Sequence, residues 1–217
     1  TGSTIKALRE RNRLTQAELA ERIGVSSKTV SKWETAKGLP DISLLQPLAQ
    51  NLGVSVIELM NELDYDVAIF GNHEFDKGLE VLNKRVSEAE FDIICANINT
   101  GTTALAQPKA YVIKEIGGVK FGFTGFITNF KNGHPDGDDE IFVGTEFPDA
   151  FATAASLRTL ADSCDVLIGI SHLGYDMDPR LVEALPEMDI LVGGHTHTTL
   201  PVGELMGETL VTQTGKS

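Results

Sequence analysis

Cysteine is scarce in this sequence: Cys95 and Cys164 are the only two thiols in 217 residues. Two thiols are too few for the disulfide framework that stabilises many small secreted domains, so a disulfide scaffold is excluded. Both cysteines lie in apolar runs that have the character of β-strands. We interpret them as small side chains of a hydrophobic core.

Long hydrophobic runs are also missing. No stretch approaches the roughly 20 apolar residues that a transmembrane helix needs. The chain does not open on the basic segment and short apolar run that are typical of a secretory signal. Its hydrophobic content of 41% and charged content of 23% are ordinary for a globular protein. We therefore expect a cytoplasmic protein that has no membrane partner.

Positive charge is in short supply, since 18 Lys and Arg residues face 31 Asp and Glu residues and the net charge is −13. The deficit of basic residues is distributed unevenly along the chain. Residues 1–62 contain 8 basic and 7 acidic side chains, whereas residues 63–217 contain 10 basic and 24 acidic ones. A strongly acidic segment binds nucleic acid poorly but can hold divalent cations. The two parts of the chain therefore suit different partners.

The first 62 residues have a helical pattern. Thr15 with Glu18 three positions later forms a capping box, which predicts a helix that starts at Gln16. Gly24 is expected to end that helix, and Ser26 or Ser27 to cap the next one. Apolar residues recur at helical spacing throughout this part. The pattern predicts five helices: one around Ile5 and Leu8, then helices at about 16–23, 27–34, 43–52 and 55–61.

A helix, a turn with glycine and a second short helix match the helix-turn-helix unit. The segments Leu14–Ala20, Gly24–Ser26, Val30–Glu34 and Gly38–Pro40 carry this pattern. On these segments, residues 4–60 resemble the lambda-repressor-like (Xre-type) DNA-binding family. The resemblance implies that the helix that ends near Glu34 enters the major groove of double-stranded DNA. Members of this family usually pair to bind two half-sites, so a homodimer is an expected partner state.

The side chains of that helix support the same interpretation. Lys28 and Lys32 lie on a polar face opposite Val30 and Trp33, and lysine can bond guanine edges or phosphates. The alternative is that these lysines form only a solvated helix face. The resemblance implies that four residues face bases or phosphates: Ser27, Lys28, Thr29 and Lys32. It also implies that Gln16, at a helix N-terminus, holds a phosphate.

Residues 63–217 alternate short apolar runs with helical segments, one of them a helix expected over 150–164, which is typical of an α/β domain. Three of the runs, Val67–Phe70, Val166–Ile170 and Ile190–Val192, each lead into a loop that contains histidine. The carboxyl ends of strands are where open α/β sheets bind ligands. These loops hold four of the five histidines: His73, His172, His195 and His197. His134 lies in a polar loop predicted over 130–147, and we interpret it as a bystander.

Each histidine alone is more often a loop or core residue than a ligand. Three strand ends with histidine, and Asn72 beside one of them, are harder to ascribe to chance. Imidazole nitrogens and an asparagine carbonyl suit Zn²⁺, Mn²⁺ or Fe. The sequence therefore predicts a divalent metal site at one edge of the sheet.

Three motifs carry a second resemblance: the hexapeptide 71–76 (Gly-Asn-His-Glu-Phe-Asp), His172 after its strand, and 194–198 (Gly-His-Thr-His-Thr). Over about residues 60–217 the chain resembles the calcineurin-like metallophosphoesterases, and among them the 5′-nucleotidase branch. The resemblance implies a two-metal site that hydrolyses a nucleotide or another phosphomonoester.

The resemblance also assigns roles to the motif residues. His73 would stabilise charge on the phosphoryl group or the leaving oxygen, oriented by Asp76. One ion would be bound by Asn72, His172 and His195. The second ion would be bound by His197.

The sequence departs from that family at one end of the sheet. The family begins with two further strands, which end in Asp-x-His and Gly-Asp motifs and supply the bridging carboxylate and most ligands of the second ion. In this chain the helix-turn-helix segment stands in their place. We therefore expect a partial metal site that binds one ion rather than two.

Together these patterns predict an all-α five-helix DNA-binding domain at 1–62. It is followed at 63–217 by an α/β (α+β) metallophosphoesterase-like domain that lacks its first strands. The predicted function is sequence-specific DNA binding, joined to an incomplete metal-dependent phosphoesterase. Two alternatives stay open: an active divalent-metal-dependent 5′-nucleotidase-like hydrolase, and a transcriptional regulator whose acidic body is not catalytic.

Overall fold

The computed structural model describes residues 2–213 and Gly215. The described chain divides into two compact units. One consists of residues 2–66 and 88–91, and the other of residues 67–87, 92–213 and 215. Within these described residues, no helix is both long enough and apolar enough to cross a bilayer.

The first unit is helical, as the sequence predicts. Its five helices are α1 (Gly2–Arg11), α2 (Gln16–Arg22), α3 (Ser27–Glu34), α4 (Leu45–Leu52) and α5 (Val56–Glu62). The predicted fourth helix starts later than expected, because a short 3₁₀ turn at Ile42–Leu44 comes before α4.

Local capping explains where these helices begin and end. The hydroxyls of Thr15 and Ser55 accept hydrogen bonds from the third backbone N–H of α2 and α5, and the glutamates at those positions bond back to the cap. Both are capping boxes, as predicted for Thr15. Ser26 rather than Ser27 caps α3. Gly53 ends α4 in the left-handed conformation, at φ 69°, which glycine adopts without steric cost.

One face of each helix supplies the core of this unit. Leu19, Val30, Leu48, Leu52 and Leu59 are completely buried. Burying such a side chain stabilises the fold by about 1.5–3 kcal/mol before conformational entropy is subtracted. These contacts hold α2 against α3 and fix the orientation of the surface that α3 leaves exposed.

An ion pair is buried in the same unit. The guanidinium of Arg9 in α1 donates to both carboxylate oxygens of Glu34 in α3, with Nη2 3.0 Å from Oε2. The two side chains are 9% and 2% exposed. Burial raises the pKa of Glu34, but hydrogen bonds from Arg9 and Gln16 outweigh it, so the pKa lies below its ordinary value.

The second unit is an α/β structure with a mixed sheet. Its helices are α6 (Leu79–Glu88), α7 (Ala150–Ser156) and α8 (Asp178–Ala184). Its strands are β1 (Val67–Ile69), β2 (Asp92–Ile94), β3 (Tyr111–Ile116), β4 (Val119–Ile127), β5 (Val166–His172), β6 (Ile190–Gly193), β7 (Glu204–Met206) and β8 (Thr209–Gln213).

The strands form two sheets. β1 and β2 are parallel partners, and the six-stranded sheet has the order β3-β4-β5-β6-β8-β7. β4, β5, β6 and β8 are mutually parallel, while β3 and β7 are antiparallel edge strands, each paired through a hairpin. Parallel pairing brings the carboxyl ends of β5, β6 and β8 to one edge of the sheet, so His172, Gly193 and Gln213 end adjacent strands.

β1 does not pair with a strand of the six-stranded sheet, but packing against β4 places its carboxyl end at the same edge. The side chain of Ile69 sits directly over Gly125 of β4, where a methyl group would collide with it. The backbone N–H of Ala96, just after β2, donates to the Gly125 carbonyl at 2.7 Å. The small residue in β4 therefore lets the two sheets approach closely and places the loop after β1 beside the end of β5.

Two local predictions are wrong. The single helix expected over 150–164 is α7 followed by a 3₁₀ segment, Arg158–Ser163. The hydroxyl of Ser156 donates to the Thr153 carbonyl, which is the type of local bond that competes with a continuing helix. The segment 130–147 is not merely a surface loop, because His134 and Phe142 are buried in it.

Candidate functional site

The loop after β1 directs two neighbouring polar side chains, Asn72 and His73, to different environments. Phe70 and Phe75 are buried, with ring centroids 5.6 Å apart, and they anchor a 3₁₀ turn at Asn72–Phe75. The Gly71 N–H donates to Oε2 of Glu74 at 2.6 Å and closes that turn. Asn72 is 7% exposed, whereas the His73 side chain is 81% exposed. Asn72 therefore points into the sheet edge and His73 points to solvent.

Asn72 meets the histidine that ends β5. Its Oδ1 lies 2.8 Å from Nε2 of His172. Gly71 makes room for this contact, because a Cβ there would lie 2.9 Å from His172 Cε1 and 3.0 Å from Nε2. Two atoms bound to one ion at about 2.1 Å would be about 3.0–3.4 Å apart. The observed separation is close to that of neighbouring ligand atoms on a single ion.

The other three histidines of the predicted site affect the pKa of His172. Burial, followed by the positive fields of His195, His73 and His197, lowers the pKa of His172 to about 4. The ring of His195 is 5.0 Å from that of His172, edge to face. His172 is therefore neutral at pH 7, the form in which imidazole binds a metal ion.

The loop after β6 has an unusual backbone. His195 and His197 have φ of 75° and 54°, in the left-handed region that non-glycine residues seldom adopt. Between them, the Thr196 hydroxyl accepts from the Tyr175 N–H at 3.0 Å and from the Gln213 amide at 3.4 Å. These bonds hold a strained turn in place, a feature often found where a loop presents ligands.

His73 and Asp76 form a pair at the mouth of the site. Nδ1 of His73 is 3.1 Å from Oδ2 of Asp76, three residues away. The carboxylate fixes the ring while the other ring nitrogen stays available to a bound molecule. This arrangement can donate a hydrogen bond or positive charge to an anion.

Two carboxylates near the site are not evident from the sequence. Asp136 lies in the loop after β4, with Oδ2 3.7 Å from Nε2 of His195. Asp178 at the start of α8 is completely buried, and among the described residues neither of its oxygens has a hydrogen-bond partner of normal geometry. Local patterns cannot reveal these positions, because each depends on contacts between distant segments.

Asp178 lies under the histidine turn. A Cβ on Gly193 would lie 2.8 Å from its Oδ2 and 3.3 Å from Oε1 of Gln213, an atom that likewise has no partner within the described part of the chain. Burial raises the pKa of Asp178 to about 6, and the nearby Ser171 hydroxyl offsets part of that effect.

The predicted ligand set is therefore only partly assembled. The structure brings together Asn72, His172 and His195, with His197 close enough to influence the pKa of His172. Within residues 2–213 and 215, no three His, Cys, Asp or Glu side chains form a group that could hold an ion. The donors that do converge, an amide oxygen and two imidazoles, fit part of the coordination shell of one transition-metal ion.

His134, interpreted as a bystander, has a structural environment. Its ring stacks on Phe142 with centroids 4.4 Å apart. Nδ1 bonds the Pro135 carbonyl at 2.7 Å, and Nε2 lies 3.2 Å from Oδ1 of Asp139. These contacts organise the loop that carries Asp136.

In the helical unit, the predicted DNA-contacting residues differ in exposure. Ser27, Lys28 and Lys32 are exposed on α3. Thr29 is half-buried, and its hydroxyl lies 2.8 Å from that of Ser26. Gln16 is also half-buried and donates through Nε2 to Glu34 at 2.7 Å. This hydrogen bond to Glu34 holds the Nε2 atom of the Gln16 side chain in place at the start of α2.

Comparison with known proteins separates the chain into the same two parts. Residues 5–59 match the helix-turn-helix family model HTH_3. The later part is 33% identical over 150 residues to Protein 5NUC of Lutzomyia longipalpis, which covers 67% of this chain and 26% of that protein. It is 30% identical over 156 residues to snake venom 5′-nucleotidase of Crotalus adamanteus, covering 70% of this chain and 26% of that protein.

A solved structure gives the same relationship. The 5′-nucleotidase precursor of Thermus thermophilus superimposes with a TM-score of 0.63 and 25% identity, covering 78% of this chain and 36% of that chain. The chain thus spans about a quarter of the length of the curated relatives that it matches. Residues 5–59 form a helix-turn-helix module, and the later part of the chain is homologous to a portion of the 5′-nucleotidases.

Proposed function

We propose that this protein binds double-stranded DNA through α3 and holds one divalent cation, Zn²⁺, Mn²⁺ or Fe²⁺, at a partial metal site in its second unit. The 2.8 Å contact between Asn72 Oδ1 and His172 Nε2 carries the metal assignment. The match of residues 5–59 to a helix-turn-helix family supports the DNA assignment.

The exposed face of α3 suits a nucleic acid. Ser27, Lys28 and Lys32 are exposed, while Val30 and Trp33 pack inward. Lysines neutralise phosphates or bond guanine edges, and serine can serve either. The helical part carries a net charge of only +1, so one copy should bind weakly. A dimer on two half-sites would raise the affinity.

The metal site would use side chains that already converge. Nε2 of His172 lies 2.8 Å from Asn72 Oδ1, so both atoms could bind one ion, with the single ring proton of His172 then on Nδ1. His195 supplies the second imidazole. When bound, the cation would act as a Lewis acid toward a phosphate oxygen. His73, held by Asp76, would face the phosphoryl group from the solvent side.

A second candidate function is an active phosphomonoesterase of the 5′-nucleotidase type. The His73–Asp76 pair favours it, because the His73 side chain is largely exposed and a substrate phosphate could approach its ring. Hydrolysis would need further metal ligands, from substrate, water or a partner chain. Manganese-dependent release of phosphate from AMP, abolished in His73→Ala, would favour this candidate.

The DNA assignment is tested with a pool of random-sequence duplexes at several salt concentrations. Lys28→Ala/Lys32→Ala should weaken binding and reduce the slope of log K against log salt by about 1.8, since each lost phosphate contact contributes about 0.9. Lys77→Ala/Lys120→Ala removes the same charge from exposed positions outside the helical unit and should leave the slope unchanged. Equal slopes for both variants would contradict DNA binding through α3.

The metal assignment is tested with Co²⁺, whose absorption spectrum reports nitrogen ligands. Asn72→Ala and His172→Ala should each lose most Co²⁺ binding. His73→Ala is the control, since that ring lies in the same loop but points to solvent. Unchanged binding in Asn72→Ala and His172→Ala would contradict the site. A protein that binds DNA but never binds metal would instead be a regulator with a non-catalytic acidic body.

A further inference from the structure

We propose that Asp136 is a positioning residue for His195. Its carboxylate holds the imidazole so that Nε2 keeps its proton and Nδ1 presents its lone pair to the cation. The inference rests on the metal site proposed above. It adds a carboxylate, from the loop after β4, to a site otherwise built from the ends of β1, β5 and β6.

The two side chains are close but not hydrogen-bonded. Oδ2 of Asp136 lies 3.7 Å from Nε2 of His195, at ion-pair distance but longer than a hydrogen bond. The His195 side chain is 26% exposed and that of Asp136 is 54% exposed. A carboxylate only accepts, so when the 3.7 Å gap closes to a hydrogen bond on metal loading, Nε2 is the nitrogen that donates to Asp136. The lone pair then resides on Nδ1.

This arrangement has a known chemical consequence. A metal-binding histidine usually donates its second ring N–H to a carboxylate or carbonyl, which fixes the tautomer and raises the basicity of the ligand nitrogen. His195 needs such support, because it sits at φ 75° in a strained turn. Asp136 is an acidic side chain within ion-pair distance of it.

The loop around Asp136 is held on both sides. Before it, His134 is 8% exposed, stacks on Phe142 and bonds the Pro135 carbonyl. After it, the carbonyl of Gly137 accepts a hydrogen bond from Nζ of Lys131 at 2.6 Å. The backbone at Asp136 is therefore fixed between two anchored neighbours. A backbone held in this way fixes the position from which the short Asp136 side chain approaches His195.

The experiment measures the affinity of the full-length protein for Co²⁺ by calorimetry, together with the cobalt absorption spectrum. Asp136→Ala should weaken binding by roughly 10- to 100-fold, the usual effect of removing a carboxylate behind a metal ligand. Asp136→Asn keeps an acceptor oxygen, so it should lose less affinity and retain the wild-type spectrum. Asp138→Ala removes the same charge from an exposed position in this loop and should bind as the wild type does.

Each other outcome overturns the inference. Wild-type affinity in Asp136→Ala would show that the carboxylate does not support His195. If Asp136→Asn bound as weakly as Asp136→Ala and its spectrum changed, Asp136 would be a direct ligand instead. Equal losses in Asp136→Ala and Asp138→Ala would reduce the effect to loop charge. Absence of cobalt binding by the wild type would overturn this inference and the proposed metal site together, whereas the other outcomes leave that site intact.

Discussion

The Nε2 atom of His172 lies 2.8 Å from the Oδ1 atom of Asn72, across a sequence separation of 100 residues. The two residues follow or end strands of different sheets, since β1 pairs with β2 and β5 lies in the six-stranded sheet. The contact forms because Ile69 packs over Gly125 and because Gly71 has no side chain to hold His172 away. The convergence of Asn72 and His172 thus depends on Gly71 and Gly125.

The first prediction follows from Gly71. Its φ of −99° suits any residue, so Gly71→Ala adds only a methyl group, which would lie 2.9 Å from His172 Cε1. We expect His172 to be displaced, the free energy of unfolding to fall by about 1–3 kcal/mol, and Co²⁺ affinity to fall at least roughly 10-fold. Calorimetry and urea unfolding measure these effects.

Gly38→Ala is the control for that variant, because no atom of the described residues lies within 4 Å of the added Cβ. It should leave cobalt affinity unchanged. Wild-type affinity in Gly71→Ala would contradict the claim that close approach of Gly71 to His172 shapes the site.

The second prediction concerns the buried carboxyl of Asp178. Its pKa of about 6 in the folded state lies above the ordinary 3.8, so the folded protein binds this proton more tightly than the unfolded chain does. The cost of ionisation is absent below about pH 3.8 and complete above about pH 6. This group should therefore lower the free energy of unfolding by up to about 3 kcal/mol as the pH rises through that window.

Asp178→Asn removes this titration. Relative to wild type, the metal-free variant should gain up to about 3 kcal/mol between pH 4 and pH 7 in urea unfolding. Asp176→Asn, at an exposed position two residues away, should show no such gain. A parallel pH dependence for wild type and Asp178→Asn would mean that Asp178 is not held protonated by burial.

The third prediction addresses the buried pair of Arg9 and Glu34. Arg9→Met leaves the Glu34 carboxylate buried at 2% exposure without its partner, which should cost about 3–5 kcal/mol. The double variant Arg9→Met/Glu34→Leu should recover most of that loss, because both charges are removed. Trp33, the only tryptophan, lies in the same core and reports the transition by fluorescence.

Arg11→Met, an exposed position on α1, serves as the control and should change the free energy of unfolding by less than about 0.5 kcal/mol. If Arg9→Met and Arg11→Met were equally stable, the buried pair would have no structural role.

Much of the helical unit could be predicted from the sequence because its signals are local. Thr15 with Glu18 fixes a helix start within four residues, and Gly53 fixes a helix end. The strands before His73, His172 and His195 could also be predicted, since each is a short apolar run followed by a polar loop. The meeting of His172 and the His195 loop follows from the parallel pairing of β5 and β6, whereas the loop of His73 reaches them because Ile69 of β1 packs over Gly125 of β4.

The remaining features depend on contacts that no local pattern encodes. The approach of Asp136 to His195 requires a loop organised around buried His134, whose sequence neighbours are Gly133 and Pro135. Asp178 looks like an ordinary acidic residue at a helix start, and only its burial under Gly193 makes it unusual. The break in the helix expected over 150–164 is similarly a matter of competing side-chain bonds.

We expect the second unit to bind one cation and not two. Elemental analysis of the purified 217-residue protein, after loading with Zn²⁺ and exhaustive dialysis, counts the bound ions. The wild type should hold about one ion per chain, and His172→Ala should hold none. Two ions per chain would mean that the site is completed by ligands beyond Asn72, His172 and His195, and no bound ion would contradict the proposed metal site altogether.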